Sequence, residues 1–185
     1  LTWQAYESVL GTAKVVSEAY PAIIESYEQD WIGGTGDIVL IADINRAVVL
    51  EYARPGEWGV QFCRRRPVCR PYDPPYIVRT NFFVTLHQYR PQPETSPIHL
   101  SSEARYKRAV ALLSRTTHQT TVEEIKALCR DHGEGGSAFS ICRHGGDGEY
   151  RTVCSAIMVA DISGISAYYV LNGSPCEEQY EQMTL

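Results

Sequence analysis

Two short runs of β-forming residues, joined by a four-residue polar connection, constrain the fold of this chain most strongly. Residues 38–42 and 47–52 are rich in Val, Ile, Leu and Ala, and Asp43-Ile44-Asn45-Arg46 lies between them. Asp and Asn side chains bond to nearby backbone in tight turns, so this pattern predicts a β-hairpin. Such a short connection joins antiparallel strands, because a parallel pair needs a crossover of about a dozen residues or more.

Other segments show strand patterns with similarly short connections. Further strands are predicted at residues 58–62, 76–80, 152–160 and 166–171. The last two form a second hairpin around residues 161–165. The segment at 86–100 carries Pro91, Pro93 and Pro97 and is expected to be irregular.

Three helices are predicted in blocks separate from the strands. An apolar stripe at helical spacing predicts the first helix, and it consists of Val16, Ala19, Tyr20, Ile23, Ile24 and Tyr27. Pro21 is expected to kink this helix or to divide it into two. Ser101 or Ser102 is the expected cap of the second helix, and Thr121 opens a capping box for the third. The separation of helices from short-connected strands indicates an α+β fold.

The size and charge of the chain limit its classes of partner. Its 185 residues suit one domain spanning 1–185. A net charge of −5 argues against a nucleic-acid partner, and no apolar run reaches the length of a membrane span. The basic run at residues 64–66 is more typical of a solvated loop than of a phosphate site. Six cysteines do not indicate a compartment.

Two kinds of ligand site were weighed from residue spacing. Residues 33–37 are rich in Gly but lack the Lys-Ser/Thr pair of a phosphate-binding loop, so they are interpreted as a turn. Cys129, His132, Cys142 and His144 could bind zinc, but their spacing is not that of a standard finger. Cys129 also fits a small buried hydrophobe on a helix. We therefore predict no metal site and no cofactor.

Asn81 and Arg105 are polar residues at positions that invite a functional interpretation. An Asn at the end of a strand can direct its amide into a cleft and form half of an oxyanion hole. An Arg in the first turn of a helix opposes the helix dipole, so it suggests pairing with a carboxylate of the protein or of a substrate. The alternatives are a turn Asn and a surface Arg.

Several segments resemble, in the same order, the acyl-coenzyme A:6-aminopenicillanic-acid acyltransferase (isopenicillin-N acyltransferase-like) family of N-terminal-nucleophile hydrolases. Residues 38–51 resemble its central hairpin, and Arg79-Thr80-Asn81-Phe82-Phe83 resembles its Thr-Asn-His-Phe signature with Phe82 in place of His. Ser101-Ser102 with Arg105 resembles its Ser-Ser-x-x-Arg helix start. Residues 140–144, 152–157 and 173–176 resemble its closing strands. Together these segments span about four-fifths of the chain.

The resemblance implies the C-terminal portion of a four-layer αββα sandwich that hydrolyses or transfers an acyl group at a linear amide. In this family an N-terminal Cys, freed by self-cleavage, attacks the carbonyl carbon while its own α-amine acts as the base. Asn81 would support the oxyanion, and Arg105 would organise the surroundings of the nucleophile. Phe82, Phe83 and Arg143 are predicted to contact the small-molecule amide substrate.

The resemblance also implies a partner for this chain. The sequence opens at Leu1, and we expect the nucleophile and the first strands of the sandwich to lie on a complementary N-terminal chain. The chain would then be part of an enzyme without being catalytic alone. The alternative is a non-catalytic, degenerate relative that acts as a structural or binding subunit of an assembly.

Overall fold

The computed structural model describes residues 13–30, 37–54, 57–64, 76–86, 93–116, 119–133, 138–145 and 150–184, with the side chains of 29–30, 54 and 61–64 left aside. These residues form three helices and six strands, and the strands form two three-stranded antiparallel sheets. The predicted α+β class is confirmed at this level. The chain divides into two compact units, Leu1–Pro93 and Glu94–Leu185, while the single domain over 1–185 stays a prediction.

The first unit contains helix α1 and an antiparallel sheet in the order β1-β2-β3. Its elements are α1 (Val16–Asp30), β1 (Asp37–Ala42), β2 (Arg46–Arg54) and β3 (Glu57–Arg64). The predicted hairpin is confirmed, with Val39 opposite Leu50. Asp43 forms its turn, since its Oδ1 accepts from the backbone N–H groups of Asn45 at 2.7 Å and Arg46 at 3.0 Å.

Helix α1 buries the predicted apolar stripe against the sheet. Its buried members and the residues of β2 that face them form one core cluster, namely Val16, Ala19, Ile23, Tyr27, Val48, Leu50 and Tyr52. The helix runs without interruption through Pro21, so the prediction of two separate helices is wrong. Pro21 is exposed and removes one backbone hydrogen bond, a loss that packing of the opposite face offsets.

The segment at 76–86 does not form the strand predicted at 76–80. Its only described pairing is an isolated bridge between Thr80 and Phe82. The backbone N–H groups of Val84, Thr85 and Leu86 instead donate to the carboxylate of Glu51. The strand prediction is therefore wrong: within 76–80 the described contacts include the Thr80–Phe82 bridge and the bond from the Nε of Arg79 to Glu51, a distant buried side chain that local pattern does not reveal.

The second unit contains two helices and a sheet in the order β4-β5-β6. Its elements are α2 (Pro97–Leu113), α3 (Val122–Cys129), β4 (Ser155–Asp161), β5 (Gly164–Val170) and β6 (Glu181–Thr184). The predicted β4–β5 hairpin is confirmed. Strand β6 was not predicted, and all four of its residues are exposed.

Helix α2 begins earlier than predicted. Ser96 is its cap, with its Oγ accepting from the backbone N–H of His99 at 3.1 Å, and Pro97 occupies the first turn. Ser101 and Ser102 lie inside the helix and are buried, so neither is the cap. Arg105 is consequently in the middle of α2, and its placement in a first turn, with the dipole argument built on it, is wrong.

Helix α3 begins with the predicted capping box. The Thr121 hydroxyl accepts from the Glu124 backbone, and the Glu124 carboxylate accepts from the Thr121 backbone. Val122, Ile125, Leu128 and Cys129 are half-buried. None of the described helices is long and apolar enough to cross a membrane.

Candidate functional site

The predicted site residues divide between the two units. Asn81, Phe82 and Phe83 belong to the first unit, whereas Arg105 and Arg143 belong to the second.

Asn81 lies in a loop that the carboxylate of Glu51 holds. Glu51 is 0% exposed and lies on β2, on the face away from α1. It accepts from the Nε of Arg79 at 2.8 Å and from three successive backbone N–H groups at 2.7–2.9 Å. These bonds fix the chain on both sides of Asn81, whose own side chain is exposed. The loop is thus anchored to the sheet while the Asn81 amide lies at the surface.

Phe82 and Phe83 lie in the interior. Phe82 is 8% exposed and Phe83 is 3% exposed. The loop also packs closely on β3, because a Cβ placed on Gly59 would lie 2.8 Å from the Cβ of Thr85. Burial makes both rings part of the packing beneath Asn81, and their contact with substrate stays a prediction.

Arg105 and Arg143 are two positively charged residues of the second unit, and the charge of Arg143 affects the pKa of Arg105. Arg105 is half-buried on α2 and its Nη2 donates to the Oγ of Ser102 at 3.0 Å. Burial and the positive charge of Arg143 together lower the pKa of Arg105 to about 10. The guanidinium of Arg143 lies over the ring of Tyr150 at 5.6 Å. Two of the five predicted site residues, Arg105 and Arg143, are therefore close enough for their charges to interact.

A cluster of two His and two Cys residues lies beside Arg143. It consists of His132, Cys142, His144 and Cys176, which we call the His/Cys cluster. One ligand atom from each residue lies within 4.8 Å of the other three. The Nε2 of His144 is 3.0 Å from the Nε2 of His132, 3.0 Å from the Sγ of Cys176 and 3.7 Å from the Sγ of Cys142. The two sulfurs are 3.6 Å apart.

Three segments carry the His/Cys cluster, and hydrogen bonds to backbone carbonyl groups connect them. The backbone N–H of Cys142 donates to the carbonyl of Asp131 at 2.9 Å, next to His132. The Nε of Arg130 donates to the carbonyl of Pro175 at 2.7 Å, next to Cys176. Gly133, whose φ of 58° favours glycine, turns the chain after His132. The carbonyl groups that accept these bonds thus belong to residues directly before His132 and Cys176, and the bonds hold the backbone beside both ligands.

Polar surroundings also orient the individual members of the cluster. The Nδ1 of His144 lies 3.5 Å from a carboxylate oxygen of Glu177, on the opposite side of the ring from the cluster. Burial and the hydrogen bond with Cys176 raise the pKa of the Cys142 thiol to about 11. The described cysteines Cys129, Cys142, Cys154 and Cys176 are all free thiols.

The cluster differs in one member from the zinc ligands weighed in the sequence. His132, Cys142 and His144 come together, but Cys176 takes the fourth place and Cys129 interacts with Tyr180 instead. Spacing did not identify Cys176 because it is 32 residues from His144 in the chain. Glu51 and Glu177 were likewise missed, since their roles depend on partners distant in sequence.

No protein-family model matches this chain, and no curated protein is significantly similar to it. The family likeness therefore depends on the short motifs quoted above.

Proposed function

We propose that this chain supplies the supporting residues of a linear-amide hydrolase or acyltransferase whose nucleophile is an N-terminal Cys on an upstream segment or a separate chain. The observation that carries the proposal is that Arg105 and Arg143 are both half-buried, with Arg105 held by the Oγ of Ser102 and close enough to Arg143 for their charges to interact. Both positions fall in motifs that resemble the acyltransferase family.

Two guanidinium groups in one half-buried neighbourhood favour an anion. Like charges repel, and burial reduces the screening of that repulsion by water. Arg also matches carboxylates and oxyanions through a planar set of donors. The pair is therefore suited to hold a carboxylate of the acyl group or a charged group beside the nucleophile.

Asn81 is the proposed oxyanion donor. During amide cleavage negative charge develops on the carbonyl oxygen, and a fixed amide donor stabilises that charge. The side chain of Asn81 is exposed, and the bonds to Glu51 hold its loop in place. A fixed donor avoids the cost of reorganising at the moment of reaction.

The chemistry in this proposal follows from the nucleophile's position at a chain terminus. The thiol attacks the carbonyl carbon, and its proton passes to the adjacent α-amine, whose ordinary pKa of about 8 suits a base. That proton then moves to the leaving amine as the carbon–nitrogen bond breaks. Water or a second amine releases the acyl group from sulfur.

A non-catalytic binding subunit is the second candidate function. Phe82 stands where the family signature has His, and it is 8% exposed. A buried Phe cannot supply the proton transfers or hydrogen bonds of an exposed His. This substitution favours a relative that keeps the fold around Asn81 without its chemistry.

Amide turnover by the protein, together with any chain that co-purifies with it, distinguishes the two functions. We expect Asn81→Ala to lower kcat by about a hundredfold. We expect Arg105→Lys to lower kcat/KM by roughly tenfold to a hundredfold, since a charge-assisted hydrogen bond contributes about 1.5–3 kcal/mol. Arg115→Lys, at an exposed position just after α2, is the matched control and should leave turnover unchanged.

Circular dichroism must show that each variant folds before its rate is compared. Turnover that is insensitive to both Asn81→Ala and Arg105→Lys would remove these residues from catalysis. Absence of turnover, with no co-purifying chain that begins with Cys, would favour the binding subunit.

A further inference from the structure

We propose that His132, Cys142, His144 and Cys176 form a structural zinc site in the second unit, independent of the amide chemistry proposed above. This site replaces our expectation that the chain binds no metal. The separations of the four ligand atoms, their chemical types and the residues next to the cluster all support such a site.

The separations match those of a tetrahedral zinc site. Zinc binds sulfur at about 2.3 Å and imidazole nitrogen at about 2.0–2.1 Å, so tetrahedral angles place neighbouring ligand atoms roughly 3.3–3.8 Å apart. Four of the six separations in the cluster are 3.0, 3.0, 3.6 and 3.7 Å, and all six lie within 4.8 Å. Side-chain shifts of up to about 1 Å would bring the atoms to bonding distance of one ion.

The ligand types select zinc over harder cations. Two thiols and two imidazoles are the Cys₂His₂ set of many structural zinc sites, whereas magnesium and calcium prefer oxygen ligands. The ion binds thiolates and neutral imidazoles, so zinc binding releases the two thiol protons to solvent. Cys142 is 0% exposed, which suits a sulfur enclosed with a metal ion.

Groups around the cluster match the outer shell of a zinc site. In many sites a ligating His donates its second ring N–H to a carboxylate, which fixes the ring's orientation and tautomer. Glu177 lies on the corresponding side of His144, with a carboxylate oxygen 3.5 Å from Nδ1, while Nε2 lies 3.0 Å from the Sγ of Cys176. Arg130 and the Asp131 carbonyl hold the segments on either side.

Four protein ligands leave no coordination position for a reacting molecule. A zinc ion with four protein ligands is structural, because catalytic sites keep a position open for water or substrate. The site would join the end of α3, the loop at 140–144 and the loop before β6. Cys176 in the last of these is 32 residues from His144 and 34 from Cys142 in the chain. The ion would therefore stabilise a unit whose buried positions include the polar residues His99, Ser101, Ser102, Ser140 and Ser174.

Metal content and X-ray absorption of the full chain test this proposal. The protein, purified with reductant and then dialysed against zinc, is expected to hold about one zinc ion per chain. Its absorption spectrum should show two sulfur and two nitrogen neighbours at about 2.3 Å and 2.0–2.1 Å. Zinc that is absent, or that has only oxygen and nitrogen neighbours, would overturn the proposal.

Variants assign the ligands. Glu177→Gln should weaken zinc affinity by about 10- to 100-fold, as expected for an outer-shell partner, and Cys176→Ser should weaken it more. Cys154→Ser, which changes an exposed free thiol outside the cluster, is the matched control and should bind zinc like the natural sequence. The Glu177 variant keeps all four ligands, so it gives a result even where loss of a Cys prevents folding.

Two further outcomes would contradict the site. The double variant Cys142→Ser/Cys176→Ser would retain a full zinc content if other residues bind the ion. A Cys142–Cys176 disulfide in protein whose thiols were blocked at lysis would show that the sulfurs are paired with each other. Cobalt(II) substitution gives an independent readout, since tetrahedral thiolate coordination produces intense visible bands that the octahedral aqueous ion lacks.

Discussion

Glu51 is a fully buried carboxylate on a strand whose neighbouring residues are apolar. A charge in the interior is costly unless its oxygens have partners. Arg79 supplies one partner at 2.8 Å, and three backbone N–H groups supply the others. A single residue therefore holds both ends of the segment from 79 to 86, which includes Asn81.

Glu51→Gln tests this anchoring role. The amide has no charge for Arg79 and turns one N–H group toward backbone donors, so we expect the free energy of unfolding to fall by about 3 kcal/mol. Chemical denaturation followed by tryptophan fluorescence measures the change. Glu25→Gln, exposed on α1, is the control and should change stability by less than about 1 kcal/mol. Equal losses in both variants would contradict the role of Glu51.

Asp43 gives the first unit a dependence of stability on pH. Burial opposes its ionisation, but bonds from the backbone N–H groups of Val16, Asn45 and Arg46, with the charge of Arg46, lower its pKa below 3.8. A carboxyl with a lowered folded-state pKa contributes stability above its unfolded pKa and loses that contribution as the pH falls through the folded value.

We expect Asp43→Asn to be less stable than the natural sequence at pH 7 and the difference to shrink below about pH 4. Urea denaturation at a series of pH values measures it. A difference that is constant down to about pH 2 would show that the charge of Asp43 does not contribute.

Among the elements, strand β2 connects the features of the first unit. Val48, Leu50 and Tyr52 pack on α1, while Val49 and Glu51 are buried on the other side. A strand buried on both faces has little tolerance for lost volume, because its neighbours can relax only partly into a cavity.

Leu50→Ala is expected to lower the free energy of unfolding by about 2–5 kcal/mol. Leu40→Ala on the neighbouring strand is the matched control, because Leu40 is 64% exposed and should lose less than about 1 kcal/mol. Similar losses at the two positions would mean that β2 is not the buried centre of the sheet.

Elements with strong local signals were predictable from the sequence. The stripe of α1, the Asp43 turn and the Thr121 capping box depend on residues within a few positions of one another. Helix α2 was placed too late because Ser96 and the Pro97 that follows it were assigned to an irregular segment. The strand at 76–80 was wrongly predicted and strand β6 was not predicted, for a different reason. The conformation of both segments depends on contacts with other parts of the chain.

The candidate sites follow the same division. Arg105 and Arg143 entered through motifs, and their proximity depends on how α2 packs near the loop at 140–144. Three zinc ligands were apparent within a short stretch, whereas Cys176 needed the long return of the chain through β4 and β5. The sequence shows the residue types, but it does not show which distant segments come into contact.

At the scale of the whole molecule, the two units can be followed separately in solution. Trp58 lies on β3 of the first unit, the sequence positions of Trp3 and Trp31 fall within the range of that unit, and the His/Cys cluster belongs to the second. Tryptophan fluorescence therefore reports on one unit and zinc content on the other.

Removal of zinc by a strong chelator should lower the thermal midpoint of the second unit, because an ion that binds only the folded state stabilises it. Far-UV circular dichroism should show this shift while the fluorescence transition stays in place. A shift in neither signal would contradict a structural zinc site, and equal shifts in both would show that the units unfold together.

We propose above that this chain supports acyl transfer through an N-terminal Cys. Intact-mass spectrometry after brief mixing with a linear amide tests it most directly. We expect a co-purifying chain in equal amount that begins with Cys and whose mass rises by that of the acyl group, and we expect less of this acylated chain with Asn81→Ala. Absence of any acyl adduct on every chain in an active preparation would contradict it.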